Sequence, residues 1–268
     1  MIGAGTNRMN IYTVRQATQG LANYILAQGG QEKGVAIAHD SRLMADELPM
    51  QRRFVLQQTE SNICVQESAS GSGTSFAVRT LGCIAGIVIT ASHNPREYNG
   101  YKVYWEDGAQ VTPPHDTGIM AEVAKVTSFD MVKTMEKEKA QAEGLYQIIS
   151  DDVDESYFAE LRNLSIHPEI IKKMAKDIKI VYTPLHGTGL GPVKRVLSDL
   201  GLKMYTLSHS RQLRMAISRP HRIRTRRIRM HGNWHLSLQR KRMQIWFWQR
   251  TRMQIVLEHT VRIQRAGS

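Results

Sequence analysis

Thr90-Ala91-Ser92-His93-Asn94-Pro95 brings a hydroxyl, an imidazole and a turn-forming Asn-Pro pair into six consecutive positions. The run follows directly on the apolar stretch Ile84 to Thr90, which reads as a buried strand. In open α/β sheets, ligands bind outside the carboxyl ends of strands, so a serine at such an end is exposed on a rigid scaffold. The adjacent His93 can tune the proton transfers of a hydroxyl nucleophile. Asn94 and Pro95 end the strand in a turn. The run reads as a candidate nucleophile loop, and it reads equally as an ordinary polar turn.

The elements that must position this loop follow from apolar periodicity. Residues 12–27 repeat Val14, Ala17, Leu21 and Ile25 at helical spacing, and Gly29-Gly30 stops that helix. Gly34 to Ala38 is a short apolar strand, followed by a polar turn at His39, Asp40, Ser41 and Arg42. Asp40 and Arg42 make a local salt bridge there or cap the next helix. Residues 91–100 form a loop, and Tyr101 to Trp105 a further strand. A helix starts after Pro113-Pro114, with Asp116 in its first turn beside the positive helix end. Residues 127–150 are charged and read as a helical or loop connection between domains. Asp154 caps a helix through Leu164. Ile178 to Thr183 is a strand, 184–191 a Gly-rich loop, Pro192 to Leu200 a helix ended by Gly201, and Met204 to Leu207 another strand. Strands alternating with helices predict a layered α/β fold with mixed, mostly parallel sheets.

The chain of 268 residues is 41% apolar, enough to build a core. No run of 18 apolar residues predicts a membrane span, and the N-terminus carries no basic-then-apolar signal pattern. Cys64 and Cys83 are the only cysteines, too few for a disulfide framework or a metal-ligand cluster. A soluble cytoplasmic protein is the expectation. The net charge of +12 suggests a nucleic-acid binder until its distribution is examined. Residues 208–268 hold 15 Lys and Arg and one acid, Glu258, whereas residues 1–207 hold 21 basic and 23 acidic side chains. The body is nearly neutral. After Leu207 no helical or strand period survives, and this tail is expected to be disordered.

Gly86 to Val111, GIVITASHNPREYNGYKVYWEDGAQV, resembles the active-site segment of the α-D-phosphohexomutase family, the phosphoglucomutases and phosphomannomutases. Residues 3–25, GAGTNRMNIYTVRQATQGLANYI, are similar to the start of the first domain in the bacterial type, and TPLHGTG at 183–189 resembles a loop of the second domain. The resemblance implies an isomerase that acts as an intramolecular phosphotransferase. Ser92 would carry a phosphoryl group, donate it to a sugar phosphate, and regain the other phosphate from the bisphosphate intermediate. Glucose 1-phosphate and glucose 6-phosphate would interconvert, with glucose 1,6-bisphosphate as intermediate and activator. Mg²⁺ would be bound by the phosphate on Ser92 and by three aspartates of a D-x-D-x-D loop. His93 and Lys102 match active-site positions beside the phosphoserine, Lys102 with a charge-stabilising or proton-transfer role. Arg8 and Asn94 are carried over as substrate-binding residues. Arg8, among Gly5, Asn7 and Asn10, is suited to a phosphate; as a surface arginine it needs no such role. His186 and Gly187 fit a ligand or interface position, and fit a plain turn as well.

The sequence departs from the family at the metal loop: no D-x-D-x-D occurs, and Asp151, Asp152 and Asp154 have the wrong spacing. A shifted reading frame accounts for this. Pairing the last base of each codon with the first two of the next turns Ile245 to Ile255 into L-V-L-A-T-D-P-D-A-D-R. Part of this depends on synonymous codons. Part is forced, because Trp and Met have single codons: Trp246-Phe247 must give Val, while Trp248-Gln249 and Met253-Gln254 must give Ala. The same shift makes Met230 to Gln244 an amphipathic helix, A-W-K-L-A-L-E-L-A-E-K-E-D-A-D. One lost base near Leu207 or Ser208 explains both. A smaller slip over residues 49–74 lets Pro49 to Asn62 read D-A-A-A-L-C-L-A-A-N-G-I-K, and makes Cys64 its product.

The expected organisation is a first α/β/α domain at 1–148, with 49–74 frame-shifted, the start of a second at 149–207, and an out-of-frame basic tail at 208–268. The resemblance further implies residues before Met1 and a third and fourth domain, the last binding the substrate's phosphate. On that expectation the chain is an N-terminal fragment with little or no turnover. Phosphomannomutase is the alternative within the family; the opening TNRMN favours phosphoglucomutase. An alternative of another class is a non-catalytic protein whose basic tail binds nucleic acid, Trp246 and Trp248 stacking on bases. The shifted frame explains the tail's composition without a nucleic-acid partner. The expected partner is a sugar phosphate, with no membrane; the oligomeric state is open. Resequencing the encoding DNA over the codons for residues 40–80 and 200–260 is expected to restore one base at each break. An unchanged reading would mean that the chain is made as written.

Overall fold

In the computed structural model the described residues are 1–4, 8–40, 42, 44–45, 53–54, 63–66, 71–92, 94–95, 97–178, 180–183, 188–207 and 246–249. The chain divides into two compact units, one of residues 1–91 and 96–155, the other of residues 92–95 and 156–268.

The first unit is organised by a six-stranded mixed sheet in the order β1-β6-β5-β2-β4-β8. Its strands are β1 (Ile2–Ala4), β2 (Val35–His39), β4 (Ile63–Gln66), β5 (Ala85–Ile89), β6 (Tyr98–Trp105) and β8 (Tyr146–Ile148). β5, β2, β4 and β8 run parallel, and β6 pairs antiparallel with both β5 and β1. A short antiparallel pair, β3 (Arg53–Phe54) with β7 (Met135–Glu136), lies outside it.

Period-two alternation assigns each strand residue to a face. Val35 and Ile37 of β2 and Ala85, Ile87 and Ile89 of β5 share one cluster with Leu21, Ala22 and Ile25 of helix α1 (Ile11–Ala27) and Ile119 of α3 (His115–Lys125). Ala36 of β2 lies in a separate cluster with Val78 of α2 (Gly71–Thr80) and Cys83. α1 and α3 therefore cover one face and α2 the other, a three-layered α/β/α arrangement. Gly86 allows α2 to approach closely, since a Cβ there would lie 2.6 Å from Val78 Cγ2.

α1 begins at Asn10, whose Oδ1 accepts from the backbone of Tyr12 and Thr13 while Thr13 Oγ1 accepts from the Asn10 N–H. This reciprocal cap closes the helix start. The charged stretch after residue 127 is more than a connection. It contains β7, α4 (Lys137–Ala142) and β8, which pairs with β4 at the sheet edge. The strand β6 begins at Tyr98, not Tyr101, because β1 pairs with Tyr98, Asn99 and Gly100; a partner strand distant in sequence overrides their polar composition. Asp154 sits inside the first turn of α5 (Asp151–Asn163) rather than at its cap.

In the second unit β9 (Ile180–Thr183) is flanked in parallel by β10 (Met204–Leu207) and β11 (Trp246–Gln249). Helix α6 (Pro168–Met174) precedes β9, and α7 (Leu190–Asp199) packs Val193 and Leu197 against Ile180 and Tyr182. β11 corrects the reading of residues 208–268 as wholly without structure: Trp246, Phe247, Trp248 and Gln249 pair with Ile180 to Thr183. Adjacent aromatic residues favour a strand, and a run of four is too short for alternation to reveal it. The remaining residues of that tail, and most of 49–74 apart from β3, β4 and the start of α2, lie outside the described residues.

Tyr101 joins the sheet to α1. Its ring is in the core, and its hydroxyl lies 3.2 Å from Thr18 Oγ1, which itself donates to the Val14 carbonyl. The Tyr101 hydroxyl is therefore the donor. Burial pushes this phenol far above its ordinary range. A raised folded value means that the neutral phenol stabilises the fold at and below the ordinary pKa of about 10. That stability is lost as pH rises beyond it, where the unfolded chain releases the proton first. Tyr101→Phe is expected to cost about 1 kcal/mol below pH 10 and to flatten the alkaline limb by up to about 1.4 kcal/mol per pH unit. Urea unfolding between about pH 8 and 11 checks this; an unchanged alkaline slope would refute it.

Candidate active site

The crevice follows from strand order. The chain leaves β2 toward β4 on one side and leaves β5 toward β6 on the other, so connections diverge from the carboxyl ends of two adjacent parallel strands. Such a divergence opens a cleft between the two loops. Residues 40–45 begin one loop and residues 90–97 form the other. β1 runs parallel to β5, so its carboxyl end, followed by the segment bearing Arg8, lies at this same edge of the sheet.

The two strand ends are bound together by buried polar groups. Asp40 N–H donates to the Ile89 carbonyl at 3.1 Å, extending the ladder by one residue. Thr90 Oγ1 donates to Asp40 Oδ2 at 2.7 Å. Arg42 donates its backbone N–H to Asp40 Oδ1 at 3.0 Å and its Nε to Asp40 Oδ2 at 3.1 Å. One guanidinium NH1 continues to the Tyr98 carbonyl at 3.0 Å. Thr90 N–H donates to the Gly100 carbonyl at 2.9 Å. Gly100 is needed there, because a Cβ would lie 2.5 Å from the Thr90 carbonyl oxygen. Asp40, Arg42 and Thr90 are each at most 4% exposed. Burial pushes the Arg42 guanidinium below its usual range, opposed by the charge and hydrogen bond of Asp40 and by Glu97. It stays protonated, as guanidinium groups do in proteins, and its charge is met by Asp40.

Ser92 follows two residues after Thr90. Its φ is +55°, in the left-handed region that non-glycine residues rarely occupy. That conformation costs about 1–2 kcal/mol and persists only where the surroundings enforce it. Ser92 and Asn94 are half-buried and Pro95 is exposed; His93 and the His186-Gly187 pair lie outside the described residues. Lys102 lies on β6 opposite Val88. It is half-buried, and burial lowers its pKa. Arg8 is exposed, and its side-chain stem lies over Gly3 of β1, whose register partner is Asn99 at the start of β6. Arg8 and the Asp40 network thus belong to one edge of the sheet, with Lys102 one register step inward from it.

Asp40 and Arg42 form the salt bridge that their spacing suggested. Their reach to Thr90 and Tyr98, on either side of the serine loop, was not visible in sequence. The available signal was a polar residue directly after each of two apolar strands. Among the described residues no group of three or more His, Cys, Asp or Glu side chains could hold a metal ion. With no D-x-D-x-D in the sequence, the donors among the described residues do not fit Mg²⁺. No described helix is long and apolar enough to cross a membrane.

Breaking a buried ion pair by removing one partner costs about 3–5 kcal/mol, because the other charge is left uncompensated. Asp40→Ala and Arg42→Ala are each expected to destabilise the chain by about that much, and the double variant by clearly less than their sum. Urea unfolding of the three variants checks the coupling; simple additivity would show that the pair is not the unit of stability.

Comparison with known proteins bears on the same elements. The phosphoglucomutase/phosphomannomutase alpha/beta/alpha domain I family model matches residues 2–130. A Schizosaccharomyces pombe protein described as a phosphoribomutase is 37% identical over 204 residues, 75% of this chain and 34% of that protein. A Staphylococcus saprophyticus phosphoglucomutase is 34% identical over 202 residues, 74% of this chain and 35% of that protein. The chain spans about a third of the length of these relatives. A solved structure from Thermus thermophilus, described as a phosphomannomutase, shares the fold with a TM-score of 0.70 at 20% identity, covering 94% of this chain and 53% of that one. With its layered first unit matched by that domain and its serine loop at the paired strand ends, the chain belongs to the α-D-phosphohexomutase family.

Proposed function

We propose that the chain is the phosphoserine-bearing part of a phosphosugar mutase acting on glucose phosphates, with Ser92 as the phosphoryl carrier. The observation that carries this reading is the left-handed Ser92, directly beyond a buried strand and inside a loop anchored at Thr90 and Tyr98. A serine held in that conformation directly after a buried strand is positioned by its scaffold, as a phosphoryl acceptor requires.

In the proposed reaction the phosphoryl group on Ser92 Oγ passes to a free hydroxyl of the sugar phosphate. The Ser92–phosphorus bond breaks as the sugar oxygen–phosphorus bond forms, and the hydroxyl proton passes by way of a base to the released Ser92 Oγ. The bisphosphate then returns its other phosphoryl group to Ser92 Oγ, whose proton passes back to the departing sugar oxygen. Lys102 is suited to carry that proton or to stabilise charge, because burial lowers its pKa toward the working range. By resemblance His93 would act beside the phosphoserine, and Arg8 and Asn94 would bind phosphate or sugar. Phosphoryl transfer is chiefly positioning and neutralisation of charge. With no metal-holding group among the described residues, transfer is expected to be slow. Relatives named for ribose and for glucose phosphates are similarly close. Glucose is favoured here by the TNRMN opening, with mannose and ribose phosphates as competitors.

The test is mass spectrometry after prolonged incubation of the purified chain with glucose 1,6-bisphosphate. One phosphoryl group on Ser92 is expected, and none in Ser92→Ala. Continuous mutase turnover is expected to be orders of magnitude below that of the Staphylococcus relative. An unmodified Ser92 would overturn the carrier role, and turnover matching the relative's would overturn the missing-metal argument. Faster labelling by ribose 1,5-bisphosphate would reassign the sugar.

A further inference from the structure

We infer that Asp40, Arg42 and Thr90 form a positioning clamp that holds Ser92 in its left-handed, acceptor-presenting conformation; this rests on Ser92 being the phosphoryl carrier. The geometry is specific to that task. A single carboxylate, Asp40, takes a hydrogen bond from Thr90 two residues before Ser92, and takes two more from Arg42. Arg42 then holds the Tyr98 carbonyl, where the loop re-enters the sheet. Entry and exit of the serine loop are thus tied through one buried ion pair, with a path of two side chains between them.

Stability alone does not account for this choice. A buried ion pair pays a desolvation cost that its attraction barely recovers, and packed apolar side chains of similar volume are often as stable or more so. What an ion pair adds is direction. The Thr90 hydroxyl, the Asp40 carboxylate and the Arg42 fork accept only a narrow set of geometries, so the loop ends cannot drift apart or slide in register. A short loop with fixed ends has few backbone solutions. Ser92 holds φ +55°, a region disfavoured for serine. None of the three side chains needs to touch the sugar phosphate. They are positioning residues, acting on Ser92 through the backbone.

Thr90→Val removes the hydroxyl but keeps the shape, and Thr90→Ser keeps the hydroxyl. In the isotope-labelled chain, the amide–Hα coupling and carbon shifts of Ser92 report its left-handed population. One lost hydrogen bond is expected to shift that population about tenfold toward other conformers in Thr90→Val, while Thr90→Ser retains the wild-type values. Arg42→Lys, which keeps the charge but not the fork, should shift it in the same direction. Phosphoryl uptake at Ser92 from glucose 1,6-bisphosphate should slow about tenfold in Thr90→Val and recover in Thr90→Ser. An unmoved Ser92 conformation in folded Thr90→Val or Arg42→Lys overturns the clamp, as does slowed uptake that Thr90→Ser does not restore. If the wild-type chain takes up no phosphoryl group, the carrier reading fails, while the Ser92 conformations still decide the clamp.

Discussion

The buried ion pair between Asp40 and Arg42 is the constraint on which the site depends. Asp40 is 4% exposed and the Arg42 side chain fully buried, so each charge relies on the other. Around them converge the carboxyl ends of β2 and β5 and the start of β6. Loss of the pair would leave a charge without compensation in the sheet's crevice. Its presence fixes the distance between the loop after β2 and the loop after β5, and hence the opening of the candidate site.

The layers exist to make that edge rigid. α1 and α3 bury Leu21, Ile25 and Ile119 on one face of the sheet, and α2 buries Val78 on the other. β2 and β5 are covered on both faces and carry almost no polar side chains until their ends. The polar groups then appear together, at the point where strand order makes the connections diverge. Gly100 and Gly86 serve this arrangement by absence of a side chain, one beneath the Thr90 carbonyl and the other beneath Val78. Tyr101 couples the same strand to α1 through Thr18, so the strand that closes the serine loop is also anchored in the core.

Family membership and catalytic competence are separate matters for this chain. The serine loop and its scaffold are those of the phosphohexomutases, yet acidic side chains able to gather around a cation are missing from the described residues. β11 lies within the basic tail. Trp246 to Gln249 take a strand position beside β9 although their order follows no apolar alternation. Strand formation asks only for side chains that tolerate a pleated surface.

Much of this was legible in the residues themselves. The apolar period of residues 12–27, the runs at Val35 and Ala85, and the run from Thr90 to Pro95 determined a helix, two central strands and a serine loop, because local burial patterns and turn chemistry act over a few residues. Asp40 and Arg42 could be read as partners from their spacing. That Thr90 and the Tyr98 carbonyl complete their network was decided only by the tertiary structure, since the partners are 50 and 56 residues away and meet through strand pairing. Strand pairing likewise decided that Tyr98 to Gly100 belong to β6, that Tyr146 to Ile148 form a sheet edge, and that Trp246 to Gln249 are a strand. Hydrogen bonds between distant backbones overrule local composition, because each satisfies polar groups that burial would otherwise leave unpaired.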